Sequence, residues 1–217
     1  MKNFIVNLII CLMDKKKFLL FILIALIKSF SFSQNFDIYL LRQTNLNRNT
    51  NLDKSLILTT HTAAPLSIST PIILFTTGVL LKDNLIIGKS IYSAETILIS
   101  NILSTSMKYL INRERPFIKY PELQNITRVS SPSFPSGHTS TAFALATSLS
   151  LAFPKWYVIV PSFLWAGLVA YSRLHLGVHY PSDIIAGIIV GCGSAFLSIK
   201  INYWINKKYD SELIFYR

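Results

Sequence analysis

Residues Ser172 to Asp183 read S-R-L-H-L-G-V-H-Y-P-S-D, and they lie between two long apolar runs. One arginine, two histidines and one aspartate make a dense polar load for a junction between apolar helices. His179 and Asp183 are four apart. With Pro181 in the first turn of the following helix, their side chains can meet on one face. A carboxylate beside an imidazole fixes its tautomer and raises its basicity, which suits a nucleophile or a general base. Arg173 adds a permanent positive charge. The stretch therefore suggests attack by a histidine, either His175 or His179, on an anionic centre, with phosphate the obvious candidate.

The apolar flanks decide the class. The 217 residues are 51% hydrophobic and only 14% charged, against about 25% charged in ordinary soluble domains. Composition alone indicates a membrane protein with a single domain. The net charge is +11, but the basic residues are scattered through short loops between apolar runs. That pattern reads as membrane topology and excludes a nucleic-acid partner. Cys11 and Cys192 have neither metal spacing nor a plausible mutual pairing, and read as lipid- or core-facing thiols.

The expected fold is all-α: an integral-membrane helical bundle of five core spans, preceded by a signal peptide or a sixth helix. Lys15–Lys17, the apolar run Phe18 to Ile27 and the small polar residues to Gln34 follow the order of a secretory signal. Residues 1–34 are either cleaved or retained as an anchor, with translation starting at Met1 or Met13. Residues 35–54 read as an extracytoplasmic connection, in which Phe36, Ile38, Tyr39 and Leu40 suit a short interfacial helix. Residues 55–206 form the membrane domain, with spans Leu56–Leu81, Leu85–Ile111, a third opening at Ser136-Gly137-His138 and running to Phe153, Trp156–Tyr171 and Ile184–Ile205. Gly187, Gly191 and Gly193 of the last favour close helix packing. Residues 207–217 form a cytoplasmic tail.

Two further polar clusters stand at span ends. Lys108 and Arg115 are seven apart, so in a helix they stack two turns apart on one face before Pro116 stops it. They can hold an anion or anchor the helix at the interface. Ser136-Gly137-His138 opens a span, where free backbone N–H groups and the helix dipole favour an anion. It also reads as a helix cap with an incidental histidine. With Lys15–Lys17 inside, all three clusters fall on the outer face. The outer cations that break the positive-inside rule are largely those in the clusters.

In order and spacing, Lys108-x6-Arg115-Pro116, Pro135-Ser136-Gly137-His138 and Ser172-Arg173-x5-His179-x3-Asp183 resemble the three-part signature of the type 2 phosphatidic acid phosphatase family, which shares its site with vanadium haloperoxidases. The resemblance covers roughly residues 55–205. Arg113, Glu114 and His175 lie outside the signature. It implies metal-independent hydrolysis of a phosphorylated lipid at the bilayer surface through a phosphohistidine, with no cofactor. By position it makes His179 the nucleophile, Asp183 its orienting partner and His138 the acid on the leaving oxygen. Lys108, Arg115 and Arg173 form the phosphate cage, with Ser136 and the Gly137 N–H as further donors. A vanadate-dependent haloperoxidase and a non-catalytic phosphate-binding membrane protein are the competing readings. The expected location is a bacterial cytoplasmic membrane, with the site on its periplasmic face.

Overall fold

A computed structural model of the chain describes residues 35–127 and 129–209, with side chains described as far as Ile205. The signal or anchor segment, Cys11 and residues 210–217 of the tail lie outside the described residues. Two compact units are distinguished, Met1–Tyr39 and Leu40–Arg217. In the first, residues 35–39 are helical.

In the second unit, helix α1 covers 40–46 and a single 3-10 turn covers Thr50–Leu52. Then come α2 (Asp53–His61), α3 (Ala63–Leu81), α4 (Asn84–Ile111), the one-turn α5 (Pro116–Lys119), α6 (Gly137–Ala152), α7 (Trp156–His175) and α8 (Pro181–Tyr209). The described residues contain no strand. The expected first span is thus two helices meeting at Thr62, and it begins three residues earlier, at Asp53. The Thr62 hydroxyl accepts the Trp165 Nε1–H at 2.9 Å, which fixes this junction to α7.

Among the described residues, three segments are long and apolar enough to cross a membrane: Thr50–Leu81, Trp156–His175 and Pro181–Ile205. Their outer faces carry exposed Ile68, Ile72, Leu80, Leu164, Leu168 and Ile189, the surface expected of an integral membrane protein. Helices α4 and α6 fall short of that measure. Helix α4 is long but rich in serine and threonine, and it carries Lys89, Glu95 and Lys108. Glu95 accepts from Ser198 Oγ at 3.2 Å and Asn202 Nδ2 at 2.6 Å on α8, which ties α4 to α8. Helix α6 has 16 residues, about 24 Å at the helical rise, less than the hydrocarbon thickness of about 30 Å.

The place of α6 in the bundle explains its composition. It packs against α3, α4, α7 and α8, and Ala142, Ala144 and Ala146 are wholly buried. A helix enclosed by other helices needs small packing residues rather than a lipid-facing coat. Ala142 and Ala146 meet Ala63, Ala166 and Val169 in the core, flanked by Phe143, Phe163 and Trp165. On α8, a Cβ added at Gly191 would collide with the Ser140 carbonyl, and one at Gly187 would lie 2.8 Å from the Ser136 carbonyl. Gly193 has no neighbour at its Cβ position, so it does not serve the packing expected of it.

Candidate active site

The three clusters converge at one end of the bundle. A cavity of about 290 Å3 opens there, and Lys108, Arg115, Gly137, His138, Arg173 and His179 all line it. Asp183 is wholly buried behind His179. These side chains arrive from α4, α6, α7, α8 and the loops between helices, so the site exists only when the bundle is packed.

Lys108 and Arg115 reach the cavity by a route other than a shared helical face. Helix α4 ends at Ile111, and Asn112 takes a left-handed conformation (φ 47°, ψ 43°). Asparagine tolerates this conformation at a helix C-terminus. Arg115 then stands in extended backbone (φ −74°, ψ 150°) ahead of α5. The chain turns back, and the two cations face one cavity from two walls. Arg115 is tightly held: Nε donates to the Ser131 carbonyl at 2.7 Å, Nη1 to the Val178 carbonyl at 2.8 Å and Nη2 to Ser131 Oγ at 3.2 Å. Burial holds its guanidinium down to about 10, still charged at neutral pH. Lys108 makes a single bond, from Nζ to the Pro132 carbonyl at 2.7 Å. Its stem passes 3.7 Å from where a Gly137 Cβ would sit.

His179 stands in the loop between α7 and α8. Helix α7 ends at His175, and α8 starts at Pro181. Between them Gly177 takes φ +69°, and a Cβ there would lie 2.9 Å from the Gln124 carbonyl. Only glycine meets both demands. His179 is almost wholly buried. Its Nδ1 lies 3.4 Å from Asp183 Oδ2 and 3.4 Å from Ser133 Oγ. Its Nε2 faces Arg115 Nη1 at 3.4 Å. A guanidinium can only donate. The proton therefore sits on Nδ1, and Nε2 keeps its lone pair toward the cation-lined cavity. Burial, opposed by the Asp183 hydrogen bond, pushes the imidazole down to about 3, so it is neutral at physiological pH.

Asp183 is fully engaged. Oδ2 accepts from Ser133 Oγ at 2.5 Å and from the Tyr180 N–H at 2.9 Å. Oδ1 accepts from Arg113 Nη1 at 2.6 Å. Neither Arg113 nor Ser133 belongs to the recognised signature. The only cue in the sequence was a second arginine two residues before Arg115.

The remaining expected residues divide. His138 lies on the cavity wall in the first turn of α6. Arg173 also lines it, with Nη1 on Thr60 Oγ1 at 2.8 Å and a buried Nε without a partner. Ser136 is wholly buried and lies outside the cavity lining; its hydroxyl accepts from Thr139 Oγ1 at 2.9 Å. His175, the other histidine of the opening stretch, is turned away from the cavity. Its Nε2 lies 2.7 Å from Asp53 Oδ1, tying the end of α7 to the start of α2.

A histidine–aspartate pair, a second histidine and three cations gathered among apolar helices define an anion-suited site in an integral membrane protein, and comparison with known proteins specifies the family. The sequence pattern of the PAP2 superfamily matches residues 89–207, and the chain belongs to that superfamily. An undecaprenyl-diphosphatase of Sulfolobus acidocaldarius is 38% identical over 108 residues, 48% of this chain and 50% of that protein. A lipid A 4'-phosphatase of Bacteroides thetaiotaomicron is 34% identical over 101 residues, 46% of this chain and 45% of that protein. The chain thus spans about half the length of the curated relatives it matches. The crystal structure of Aquifex aeolicus LpxE superposes with a TM-score of 0.66 at 28% identity, covering 76% of this chain and 95% of that one.

Proposed function

We propose that this protein is a membrane lipid phosphatase that hydrolyses a phosphomonoester or diphosphate through a phosphohistidine. The observation that carries the reading is the orientation of His179, with Nδ1 turned to Asp183 and Nε2 to the cavity shared with Arg115.

In this mechanism Lys108, Arg115 and Arg173 bind the phosphate oxygens. Transfer spreads charge over these oxygens, and fixed cations in a site partly shut off from water stabilise it. Nε2 of His179 attacks phosphorus while the bond to the leaving oxygen breaks. Imidazolium character develops on His179, and Asp183 stabilises it through the Nδ1 proton. His138 gives its proton to the leaving oxygen. The negative charge of bound substrate favours the protonated form of His138. In the second step His138 takes a proton from water as it attacks the phosphorus of phospho-His179. The N–P bond breaks, and phosphate leaves.

Residues 55–206 are the catalytic membrane domain in this reading, with 1–34 as targeting segment or anchor and 207–217 as tail. The cation-rich end faces the periplasm of a bacterial cytoplasmic membrane, supported by the lysines that mark the opposite loops. Candidate substrates are polyprenyl diphosphates, phosphatidic acid, phosphatidylglycerol phosphate and lipid A phosphates. The names of the relatives support the polyprenyl diphosphates and lipid A phosphates among these. Phosphate release by purified protein from a panel of these lipids tests the reading. Release from at least one, absent in His179→Ala, is expected; release from none overturns it.

A further inference from the structure

Outside the recognised signature, Arg113 joins Ser133 in holding the carboxylate behind His179. Arg113 Nη1 lies 2.6 Å from Asp183 Oδ1 and 2.7 Å from Ser182 Oγ. Its guanidinium carbon lies 3.9 Å from the centre of the Tyr180 ring, in stacking range. The Arg113 carbonyl accepts the Ser133 N–H at 2.8 Å, and Ser133 Oγ donates to the other carboxylate oxygen. One residue thus holds Asp183 from both sides, by its side chain and through its backbone. Arg113 does not line the phosphate cavity.

We propose that Arg113 is a positioning residue for the nucleophile: it orients and partly neutralises Asp183, so that His179 keeps a single tautomer and stays neutral until it attacks. This rests on the phosphatase reading for its kinetic consequence, but not for its effect on His179. A carboxylate free to rotate could present either oxygen, or neither, to Nδ1. A buried carboxylate without its counter-charge would draw a proton onto the imidazole more strongly. The other groups facing His179 are cations or neutral: Arg115 ahead of α5, Lys108 on α4, Arg173 on α7, His138 on α6 and Ser133 in the loop before it. All of them remain when Arg113 is replaced. Asp183 then becomes the less compensated charge, and protonation of His179 becomes easier.

The test uses the full chain in detergent micelles with 15N-labelled histidine. In the wild type, His179 is expected as one Nδ1–H tautomer, neutral down to pH 5. In Arg113→Gln, a mixture of tautomers is expected, with the His179 midpoint at least one unit higher. Phosphate release from phosphatidic acid in mixed micelles gives the second readout. The kcat of Arg113→Gln should fall about 10- to 100-fold, the scale seen when a group that orients a reactive ligand is removed. Its KM should stay within about twofold, because the cage is intact. Arg113→Lys should recover part of the kcat. An unchanged His179 tautomer and midpoint in Arg113→Gln overturn the proposal, and so does a loss carried by KM, which would make Arg113 a phosphate ligand. If the glutamine variant does not fold, Arg113→Lys carries the test. A reduced kcat at constant KM is expected there, and a wild-type kcat with a wild-type titration overturns the proposal. If the wild type releases no phosphate, the phosphatase reading is in question, while the tautomer measurement still decides on Arg113.

Discussion

His179 Nδ1 and Asp183 Oδ2 lie 3.4 Å apart across the first turn of α8, with the opposite ring nitrogen turned to Arg115. This relationship gives the two ring nitrogens separate jobs. Nδ1 holds the proton, and Nε2 holds the lone pair.

Replacing either histidine should remove turnover and spare the fold. His179→Ala should reduce phosphate release to the background rate, since it removes the side chain proposed to carry the phosphoryl group. His138→Ala should cost about 10²- to 10⁴-fold in kcat, the usual contribution of a general acid. Both variants should insert into membranes and elute as the wild type by size exclusion in detergent. Full activity in purified His179→Ala contradicts the mechanism.

Lys108 and Arg115 should differ in what their loss costs. Lys108 has one backbone bond, so Lys108→Ala should lower kcat/KM by about 10²- to 10³-fold, the scale of losing one preorganised charge-stabilising donor, with little change in melting temperature. Arg115 caps the Ser131 and Val178 carbonyls. Arg115→Ala should lower activity and also melting temperature, because buried acceptors lose their donors. Equal melting temperatures in the two variants would contradict this division.

The fold was legible in the sequence wherever apolar length or the signature spoke, and obscure where packing decided. The His179–Asp183 pairing followed from a four-residue spacing with Pro181 at the helix start, and α8 begins there. Lys108 and Arg115 do share a site, but the helical face expected to join them ends at Ile111. The turn at Asn112 brings them together, and a seven-residue spacing cannot reveal that. Ser133 and Arg113 were invisible as site residues because their partner, Asp183, lies far along the chain. Three glycines of one span looked alike, yet only Gly187 and Gly191 meet the backbone of α6.

That close approach carries its own test. Gly191→Val places side-chain atoms against the Ser140 carbonyl and the Ala144 N–H. Overpacking of this kind costs about 1–3 kcal/mol. A lower melting temperature in detergent is expected, whereas Gly193→Val should leave it unchanged. The reverse order would contradict the α6–α8 packing.

The pH dependence of stability should carry the mark of His179. Its folded-state value, about 3, lies below the value of about 6.5 expected for an unfolded histidine. Between these values the unfolded chain binds more protons, so this group makes stability fall as pH drops below about 6.5. His179→Gln should therefore lose less melting temperature than the wild type between pH 7 and pH 5. An equal or greater loss contradicts burial of a neutral imidazole.

Lys108, Arg115 and Arg173 line one cavity, and in the proposed mechanism these three cations meet the developing phosphate charge. Phosphate release should therefore persist in excess chelator. Loss of activity that a divalent cation restores would point to a different chemistry.

The most direct measurement follows the phosphoryl group itself. Purified protein is mixed with a 32P-labelled lipid phosphate that it hydrolyses and quenched within one turnover in alkali, where a phosphorus–nitrogen bond survives. The label should be found on His179, be lost in acid and be absent from His179→Ala. Turnover with no labelled protein at any quench time, or label on another residue, would contradict the phosphohistidine mechanism.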